Sequence, residues 1–313
     1  MKIAFAPMEG LTGALYRQAH CRWFGCVDRY FIPFITPTQD HRFTKRELRE
    51  ILPEHNRGLA AVPQLLVRRA EDFLWAAGEL AAMGYPEINL NLGCPSGTVV
   101  AKGKGSGFLG LPEELERFLD TVFDAAPCAV SIKTRLGLRE PEESGPLLAL
   151  FRRYPLAELI VHPRVLKDYY GNKPRLEWFG VALSDSRAPV CYNGDICNAE
   201  DLKRLRERFP KLDCVMVGRG VLADPALGRV LKGGGQAEKA ELRKFHDLLY
   251  RAYCEEMSGD RTVLYKMKEL WFYFSGLFTN GKKYYKKIKK CERCVIYESI
   301  VNELFMKEEV IHG

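Results

Sequence analysis

The sequence has no long hydrophobic segment, since nowhere in its 313 residues does it approach the roughly 18 uninterrupted apolar residues of a membrane span. A secretory signal peptide is not expected, because Met1–Pro7 runs directly into a strand-like pattern. Its ten cysteines do not suggest a disulfide framework, and several, such as Cys128, Cys191 and Cys214, lie in apolar runs. These absences predict a cytoplasmic globular protein without disulfides.

Residue spacing typical of metal sites is nearly absent as well. Cys291 and Cys294 have the two-residue separation of half a zinc site, but no second closely spaced Cys or His pair accompanies them. We therefore predict no bound metal, and whether this cysteine pair binds anything stays open. An early glycine fingerprint of the dinucleotide-binding type is also missing, which disfavours an open, doubly wound sheet.

Short β-rich runs alternate with helical patterns through residues 1–233. The predicted strands are Lys2–Met8, Val27–Pro33, Ala60–Leu66, Glu87–Leu92, Ala129–Thr134, Leu159–Pro163, Val190–Asn193 and Cys214–Val217. The clearest predicted helices between them are Ala70–Met83, Pro112–Ala125, Glu142–Arg153 and Ala199–Phe209. Eight strands alternating with helices predict an α/β fold, a TIM-type (β/α)8 barrel. The polar connection Arg42–Asn56 is expected to carry a short helix.

Residues 236–313 are predicted to form a small, all-α C-terminal domain. Its predicted helices are Glu238–Met257, Thr262–Phe274, Lys282–Lys290 and Val295–Met306. The net charge of +7 is concentrated here, because Arg261–Lys290 holds nine basic residues and one acidic residue. A localised basic surface is typical of a polyanion partner such as nucleic acid, although a solvated lysine-rich helix is the ordinary alternative.

Polar residues or glycines stand at the ends of seven of the eight predicted strands, where barrels of this type hold their catalytic groups. They lie in Ala6–Gly10, Gln64, Asn89–Pro95, Lys133–Arg135, Val161–Arg164, Asn193–Asp195 and Gly218–Gly220. Lys133 could stabilise negative charge on a flavin ring, and the last two segments suit a phosphate group. Each residue also has an ordinary explanation, such as a backbone tether for Gln64 or a core position for His162.

Cys94 differs from the other cysteines in its surroundings. It lies between Gly93 and Pro95 and is followed by a glycine-rich segment, residues 101–107. An exposed thiol on such a loop can act as a general acid, giving a proton to carbon as hydride arrives elsewhere. A structural cysteine in a tight turn is the alternative.

Taken together, these segments resemble the tRNA-dihydrouridine synthase family, and they follow that family's order across the whole barrel. The most specific element is Asn91-Leu-Gly-Cys94-Pro95 with the glycine-rich loop after it. The helical, basic tail resembles the family's RNA-binding domain. The resemblance implies that NADPH (or NADH) reduces FMN, and that a uridine of the tRNA D-loop then receives hydride at C6 and a proton at C5.

Residue roles carried over from the resemblance concern the cofactor, the proton and the RNA. The implied FMN contacts are Pro7, Met8, Glu9, Gln64, Lys133, His162, Asn193, Gly194, Asp195, Gly218 and Arg219. Cys94 is implied as the proton donor, while Asn91 and Arg135 resemble positions that face the uracil. Lys133, Arg135 and His162 are expected to stabilise charge on the uracil carbonyls. The basic face expected to grip tRNA near its D-loop and elbow comprises Lys282, Lys283, Lys286, Lys287 and Lys290.

Two other functions remain as alternatives at this stage. One is an FMN-dependent reductase of free pyrimidines, of the dihydroorotate or dihydropyrimidine dehydrogenase type, and the other is a non-catalytic RNA-binding protein. The basic tail argues against the first and the occupied strand ends against the second. Glu9 resembles the branch acting on uridine 16, but the target uridine, an rRNA substrate, the preferred nicotinamide and the oligomeric state are left open.

Overall fold

The computed structural model describes residues 1–311, in which eight parallel strands close into a barrel in chain order. The strands are β1 (Lys2–Phe5), β2 (Arg29–Ile35), β3 (Ala61–Leu65), β4 (Glu87–Leu92), β5 (Ala129–Arg135), β6 (Leu159–His162), β7 (Val190–Asn193) and β8 (Cys214–Val217). The backbone N–H of Lys2 donates to the carbonyl of Asp213 at 2.7 Å and ties the first strand to the last. The barrel and all eight predicted strands are confirmed.

Five of the eight strands differ from their predicted bounds by one to three residues, and β1 and β2 differ most. β1 ends at Phe5 rather than Met8, because Pro7 has no N–H for a strand ladder and Met8 N–H donates to Thr12 Oγ1 at 2.8 Å. β2 begins and ends two residues later than predicted, with a break in register around Pro33. Its pairing with β3 resumes at Ile35.

Helices alternate with these strands along the chain. They are α1 (Ala14–Trp23), α2 (Lys45–Ile51), α3 (Ala70–Ala82), α4 (Gly97–Val100), α5 (Pro112–Ala125), α6 (Ser144–Phe151), α7 (Leu176–Asp185), α8 (Ala199–Arg208), α9 (Arg219–Ala223) and α10 (Leu227–Leu231). The short helix expected within Arg42–Asn56 is present as α2. The helix predicted from Glu142 begins later, because the carboxylate of Glu143 accepts the backbone N–H groups of Leu138 and Arg139 and closes a separate turn.

The chain forms two compact units. The first comprises residues 1–7, 28–194 and 206–216, and it contains the strands and most of the helices between them. The second comprises residues 8–27, 195–205 and 217–313. It therefore includes more than the predicted tail, and the functional boundary placed between residues 233 and 236 stays a prediction.

Small and apolar side chains fill the first unit's core. The central cluster consists of Ala4, Ala6, Phe31, Val62, Ile160, Cys191, Cys214 and Met216. Cys191 and Cys214 are buried as small apolar residues, as predicted, whereas Cys128 is only half-buried. All ten cysteines are free thiols in the structure.

The C-terminal part of the second unit is a helical bundle, as the sequence predicts. Its helices are α11 (Lys239–Glu256), α12 (Asp260–Phe274), α13 (Gly281–Lys290) and α14 (Cys294–Lys307). In its core Trp271 Nε1 donates to Tyr297 Oη at 2.8 Å, and that oxygen also lies 2.5 Å from His246 Nε2. None of the helices formed by residues 1–311 has the length and apolar content of a membrane span. The cytoplasmic location stays a prediction.

Candidate active site

The loop that carries Cys94 follows β4 and is fixed on both sides of the cysteine. Asn91 Oδ1 accepts the backbone N–H groups of Gly93 and Cys94 at 3.0 and 2.9 Å. The carbonyl of Cys94 accepts the hydroxyl of Ser106 at 2.6 Å and the Ser106 N–H at 3.1 Å. The side chain of Cys94 is half-buried rather than fully exposed. The backbone on both sides of the thiol is therefore held in one conformation.

The glycine-rich segment after Cys94 is shaped by its approach to the cysteine. Gly105 has a φ of +56°, and a Cβ at this position would lie 2.9 Å from the Cys94 carbonyl oxygen. A larger residue would be strained and would push the two segments apart. The glycine predicted from the sequence as part of a motif is thus required by the close packing of the Cys94 loop.

Four buried polar side chains form a continuous hydrogen-bonded chain behind this loop. Asn91 Nδ2 donates to Gln64 Oε1 at 2.7 Å, and Gln64 Nε2 donates to Asn89 Oδ1 at 2.7 Å. Asn89 Nδ2 then donates to Ser131 Oγ at 2.8 Å. Buried amides bonded in this way hold one orientation, because reversing any of them would break two bonds. The chain therefore positions Asn91, which in turn positions Cys94.

This arrangement bears on two predicted contacts. Gln64 and Asn91 are at most 7% exposed, and both polar ends of each amide already bond within the protein. Their predicted contacts with flavin and uracil stay predictions, while the structure shows what they do within the protein. Ser131 was not singled out from the sequence, and Asn89 was noted only as the first residue of the segment Asn89–Pro95. Their signal was the period of two on β4 and β5, which turns Asn89 to the same side as Asn91.

Lys133 lies directly beside Asn91 in the register of β4 and β5. Its side chain is half-buried and, among residues 1–311, makes no hydrogen bond or ion pair. Burial, followed by the nearby charge of Arg135, lowers the pKa of the Lys133 ammonium to about 8. A buried ammonium without a partner is costly, so this position is suited to an electron-rich group supplied from outside the chain.

Arg135 is buried at the end of β5, two residues after Lys133 and opposite His162 in the register. Its Nε donates to the carbonyl of Gly93 at 2.9 Å, and its Nη1 donates to the carbonyls of Val165 and Tyr169 at 3.2 and 3.0 Å. Its guanidinium also lies 5.4 Å from the centre of the Tyr170 ring. Arg135 thus joins the Cys94 loop to the loop after β6, and the prediction that it faces the uracil stays untested.

His162 ends β6 and is held by its neighbours in the neutral form. Its Nδ1–H donates to the carbonyl of Asn193 at 2.7 Å, and Arg164 Nη1 approaches its Nε2 at 3.4 Å. Burial, with the charges of Arg135 and Lys133, holds the pKa of the imidazole well below its ordinary value. A neutral ring with its proton on Nδ1 has none to donate from Nε2. The prediction that His162, Lys133 and Arg135 stabilise charge on the uracil carbonyls stays untested.

A cleft with basic walls adjoins the glycine-rich segment in the first unit. It has a volume of about 430 Å³, and its lining includes Arg68, Lys102, Lys104, Asp72 and Glu114. Arg68 is paired with Glu114 at 2.5 Å, and burial lowers the pKa of Lys104. Arg68 follows β3 by three residues, and its position in the cleft was not predicted from the sequence.

The predicted cofactor residues of the second unit lie in two places. In the first, Met8 begins a turn closed by Thr12, and Glu9 is exposed. In the second, Arg219 Nη2 pairs with Asp195 Oδ1 at 2.5 Å, just after Gly218 and at the start of α9. The carboxylate therefore orients the Arg219 guanidinium. Pro7 and Gly194 lie in the first unit, and the FMN contacts of all these residues stay predictions.

Helix α13 is amphipathic, with apolar residues on its buried face and lysines on its exposed face. Tyr284 and Ile288 are buried, whereas all of the predicted RNA-binding lysines of this helix are exposed: Lys282, Lys283, Lys286, Lys287 and Lys290. Among them Lys287 pairs with Glu303 on α14 at 3.1 Å. Most of the positive charge of the helix is thus directed away from the bundle.

Cys291 and Cys294 differ in their burial and in their position in the bundle. Cys291 is buried and donates to the carbonyl of Ile288 at 3.0 Å, and Cys294 begins α14. Within residues 1–311 the one group of three side chains close enough to share a metal ion is Glu158, Cys191 and Cys214. Arg29 already pairs with Glu158 there at 2.5 Å, and its positive charge disfavours a cation.

The closed parallel barrel and the polar strand ends place the chain among (β/α)8-barrel proteins. In fold it is similar to morphinone reductase, with a TM-score of 0.52 and 16% identity over 76% of this chain and 87% of that one. A second similar structure is a variant of NCR from Zymomonas mobilis, with a TM-score of 0.52 and 13% identity over 78% of this chain and 90% of that one. At these levels of sequence identity, the similarity establishes the fold alone.

The sequence comparisons identify the family. The model of the dihydrouridine synthase family matches residues 4–305. The tRNA-dihydrouridine(16) synthase of Pseudomonas putida is 30% identical over 80% of this chain and 79% of its own length. The protein of the same name from Vibrio vulnificus is 27% identical over 97% of this chain and 96% of its own. The chain therefore belongs to the dihydrouridine synthase family and is an oxidoreductase.

Proposed function

We propose that this chain is a tRNA-dihydrouridine synthase that uses FMN and NADPH to reduce the C5–C6 double bond of a uridine in the tRNA D-loop. The observation that carries the proposal is the pairing of two features on neighbouring strands. Cys94 is held by a fixed backbone after β4, and Lys133 extends an unpartnered ammonium from the adjacent position of β5. One can supply a proton and the other can stabilise negative charge.

A flavin fits the donor set of the first unit. The ring's pyrimidine edge carries carbonyl oxygens that gain negative charge on reduction, and Lys133 offers an ammonium that no group in residues 1–311 satisfies. When bound, FMN would supply the hydride that reaches C6 of the uracil. The predicted contacts from Pro7, Met8, Glu9 and the later strand ends would hold its ring and phosphate.

Cys94 is proposed to donate its thiol proton to C5 of the uracil. The resulting thiolate regains a proton from solvent, so one hydride and one proton saturate the double bond. The Asn91 and Ser106 hydrogen bonds keep the donor in place, which matters because a general acid must lie within reach of the carbon it protonates. The uracil must leave the base stack to reach this position.

Lys133 is proposed to stabilise the negative charge that develops on the uracil carbonyls. An ammonium with a pKa near 8 is largely protonated at pH 7 and can donate to an oxygen that becomes more negative during reduction. His162 and Arg135 act by holding neighbouring backbone, since the polar atoms described above already bond within the protein. The three residues therefore have different roles.

Replacing Cys94 with Ala tests the proton donor directly. Loss of a general acid typically lowers the rate 10²- to 10⁴-fold, whereas bound flavin and its reduction by NADPH should be unaffected. Cys128→Ala is the matched control, because Cys128 is also a half-buried free thiol of the first unit. Dihydrouridine formed in a tRNA transcript is measured by nucleoside mass spectrometry. A normal rate in Cys94→Ala would overturn the assignment, and a colourless purified protein would overturn the flavin.

The α13 lysines are proposed to bind the phosphates of tRNA. Replacing Lys286 and Lys290 with Glu should weaken tRNA binding and reduce its dependence on salt, because fewer counterions are released. The charge-matched control is Lys203→Glu with Lys211→Glu, at exposed positions outside the bundle. Equal tRNA affinity in the two double variants would remove α13 from RNA binding.

The target uridine is proposed to be uridine 16. Several relatives, including those from Pseudomonas putida and Vibrio vulnificus, carry that position in their names. Site-by-site mass spectrometry of tRNA from a strain lacking the protein tests the proposal, since dihydrouridine should disappear at position 16 and persist at other positions. The same assay with NADPH and with NADH compares the electron donors, and activity on free uracil would instead favour a small-molecule reductase.

A further inference from the structure

Two aromatic side chains of α12 are exposed on one face of the bundle. Tyr265 is 62% exposed and Phe272 is 60% exposed, which is unusual for large rings. They are seven residues apart, nearly two full helical turns, so they lie on the same side of α12 about 10 Å apart. The opposite side of α12, with Leu264, Met267 and Trp271, is buried. Neither ring is buried in the core of the bundle, and the Tyr265 hydroxyl donates to the carboxylate of Glu269 on the same helix.

A third ring and several lysines continue this face onto α13. The rings of Phe272 and Tyr285 lie 6.1 Å apart, centre to centre, with an angle of 68° between them. Lys282 and Lys289 stand three residues before and four residues after Tyr285, so they flank it on the same side of α13. We call Tyr265, Lys268, Phe272, Lys282, Tyr285 and Lys289 the aromatic–lysine face.

The charge on this face is positive and largely uncompensated. Lys268, Lys282 and Lys289 form no ion pair within residues 1–311. Glu269, the acidic residue of this stretch, lies 3.8 Å from the ammonium of Lys266. That ammonium also lies 5.9 Å from the centre of the Tyr265 ring and donates to the carbonyl of Gly10. The acidic charge is therefore balanced locally, and the three lysines remain to attract an anion.

Exposed rings set among lysines match the chemistry of an unpaired nucleic-acid strand. Its bases have flat faces that stack on aromatic rings, and its phosphates attract ammonium groups. A paired helix presents phosphates but hides its base faces, so it could use the lysines and not the rings. The combination on one face therefore favours single-stranded or looped RNA over a duplex.

We propose that the aromatic–lysine face binds unpaired bases of the RNA substrate, with Phe272 and Tyr265 stacking on two different bases. This inference rests on the proposed function and deepens it, because it names the part of the RNA that the bundle recognises. The α12 rings would then increase the affinity for RNA loops, while the α13 lysines bind phosphates.

The test compares three labelled RNA probes with the full-length protein. They are an unmodified tRNA transcript, a 12-nucleotide oligouridine and a 12-base-pair RNA duplex, each titrated at several salt concentrations. Phe272→Ala should weaken binding of the first two at least five-fold, about 1 kcal/mol for one stacked base, and leave the duplex unchanged. Phe272→Tyr should restore binding. Met306→Ala is the matched control, since Met306 is a large apolar residue, 75% exposed, on α14 of the same bundle.

The salt dependence separates stacking from charge. Phe272→Ala should leave the slope of log affinity against log salt unchanged, because it removes no phosphate contact. Lys282→Gln with Lys289→Gln should lower that slope by about 1.4 for the oligouridine, or about 0.7 for each lost contact. Tyr265→Ala should behave like Phe272→Ala.

The outcomes divide clearly. If the wild-type protein binds tRNA and oligouridine but Phe272→Ala binds them equally well, the stacking inference is wrong and the proposed function stands. Equal weakening toward the duplex would also overturn it, because paired bases cannot stack on Phe272. If the wild-type protein binds none of the three probes, the proposed function and this inference fail together.

Discussion

Lys133 carries a charge that the flavin-free fold does not stabilise. Replacing Lys133 measures how much this charge lowers the free energy of unfolding. The pKa of its ammonium falls from an ordinary 10.5 to about 8, because burial penalises the charge and Arg135 is close. Each pKa unit corresponds to about 1.36 kcal/mol, so keeping Lys133 protonated at pH 7 costs the folded protein about 3 kcal/mol. Lys133→Met keeps most of the apolar side chain, and we expect it to stabilise the flavin-free protein by about 2 to 3 kcal/mol at pH 7.

The pH dependence has a definite sign. The unfolded chain keeps the Lys133 proton up to about pH 10.5, whereas the folded chain releases it above about pH 8. The unfolded state therefore binds more protons between these values, and the contribution of Lys133 to wild-type stability rises with pH across this window. Lys133→Met lacks this rise, so the difference between the two proteins should shrink by about 2 kcal/mol from pH 7 to pH 9.5.

Urea unfolding followed by circular dichroism at both pH values measures these differences. The protein must be free of flavin, because a ligand bound to the folded state adds its own stabilisation. Lys211→Met, at an exposed position, is the control and should change stability little at either pH. If Lys133→Met gave no gain at pH 7, or the same gain at pH 7 and 9.5, the burial of an unpartnered ammonium would be refuted.

Two further changes test the support of the site, and a third tests a buried ion pair of the barrel. Asn91→Ala removes the acceptor that fixes two N–H groups of the Cys94 loop and should lower the single-turnover rate of RNA reduction about 10²-fold, with flavin content as the control. Ser106→Ala should cost less than ten-fold in the same assay, because the Ser106 N–H still bonds to the Cys94 carbonyl. Arg29→Met leaves Glu158 buried without its partner and should destabilise the protein by about 3 to 5 kcal/mol in urea, a loss that adding Glu158→Gln should largely reverse.

The strands of the barrel were predictable because their signals are local. β4, β7 and β8 match their predicted bounds. β7 and β8 are short, mostly apolar runs, and β4 alternates polar and apolar residues with the period of a strand. The direction of the buried amides was not predictable in the same way. Whether Gln64 bonds to Asn89, to Asn91 or to a ligand depends on the register between strands, and register is a property of pairing rather than of a single segment.

In the C-terminal bundle, too, some features could be predicted from the sequence and others could not. Its basic charge is visible in the sequence, and the lysines of α13 are exposed as expected. The exposure of Tyr265 and Phe272 was not foreseen, because α12 also carries Trp271 and Phe274, and a helical pattern alone does not say which rings face the core. Packing against the other helices of the bundle decides that choice.

The polar residues near Cys94 differ in whether their bonds are completed within the protein. Asn91 and Arg135 bond to backbone and side-chain atoms of the first unit, so they hold their positions without a ligand. Lys133 lies between them on the same two strands and has no such partner among residues 1–311. Rigid, satisfied neighbours around one unsatisfied cation make a preorganised site, because the neighbours need not rearrange when a ligand arrives. The instability expected at Lys133 and the chemistry proposed for it therefore have the same origin, and a substitution that relieves the first should abolish the second.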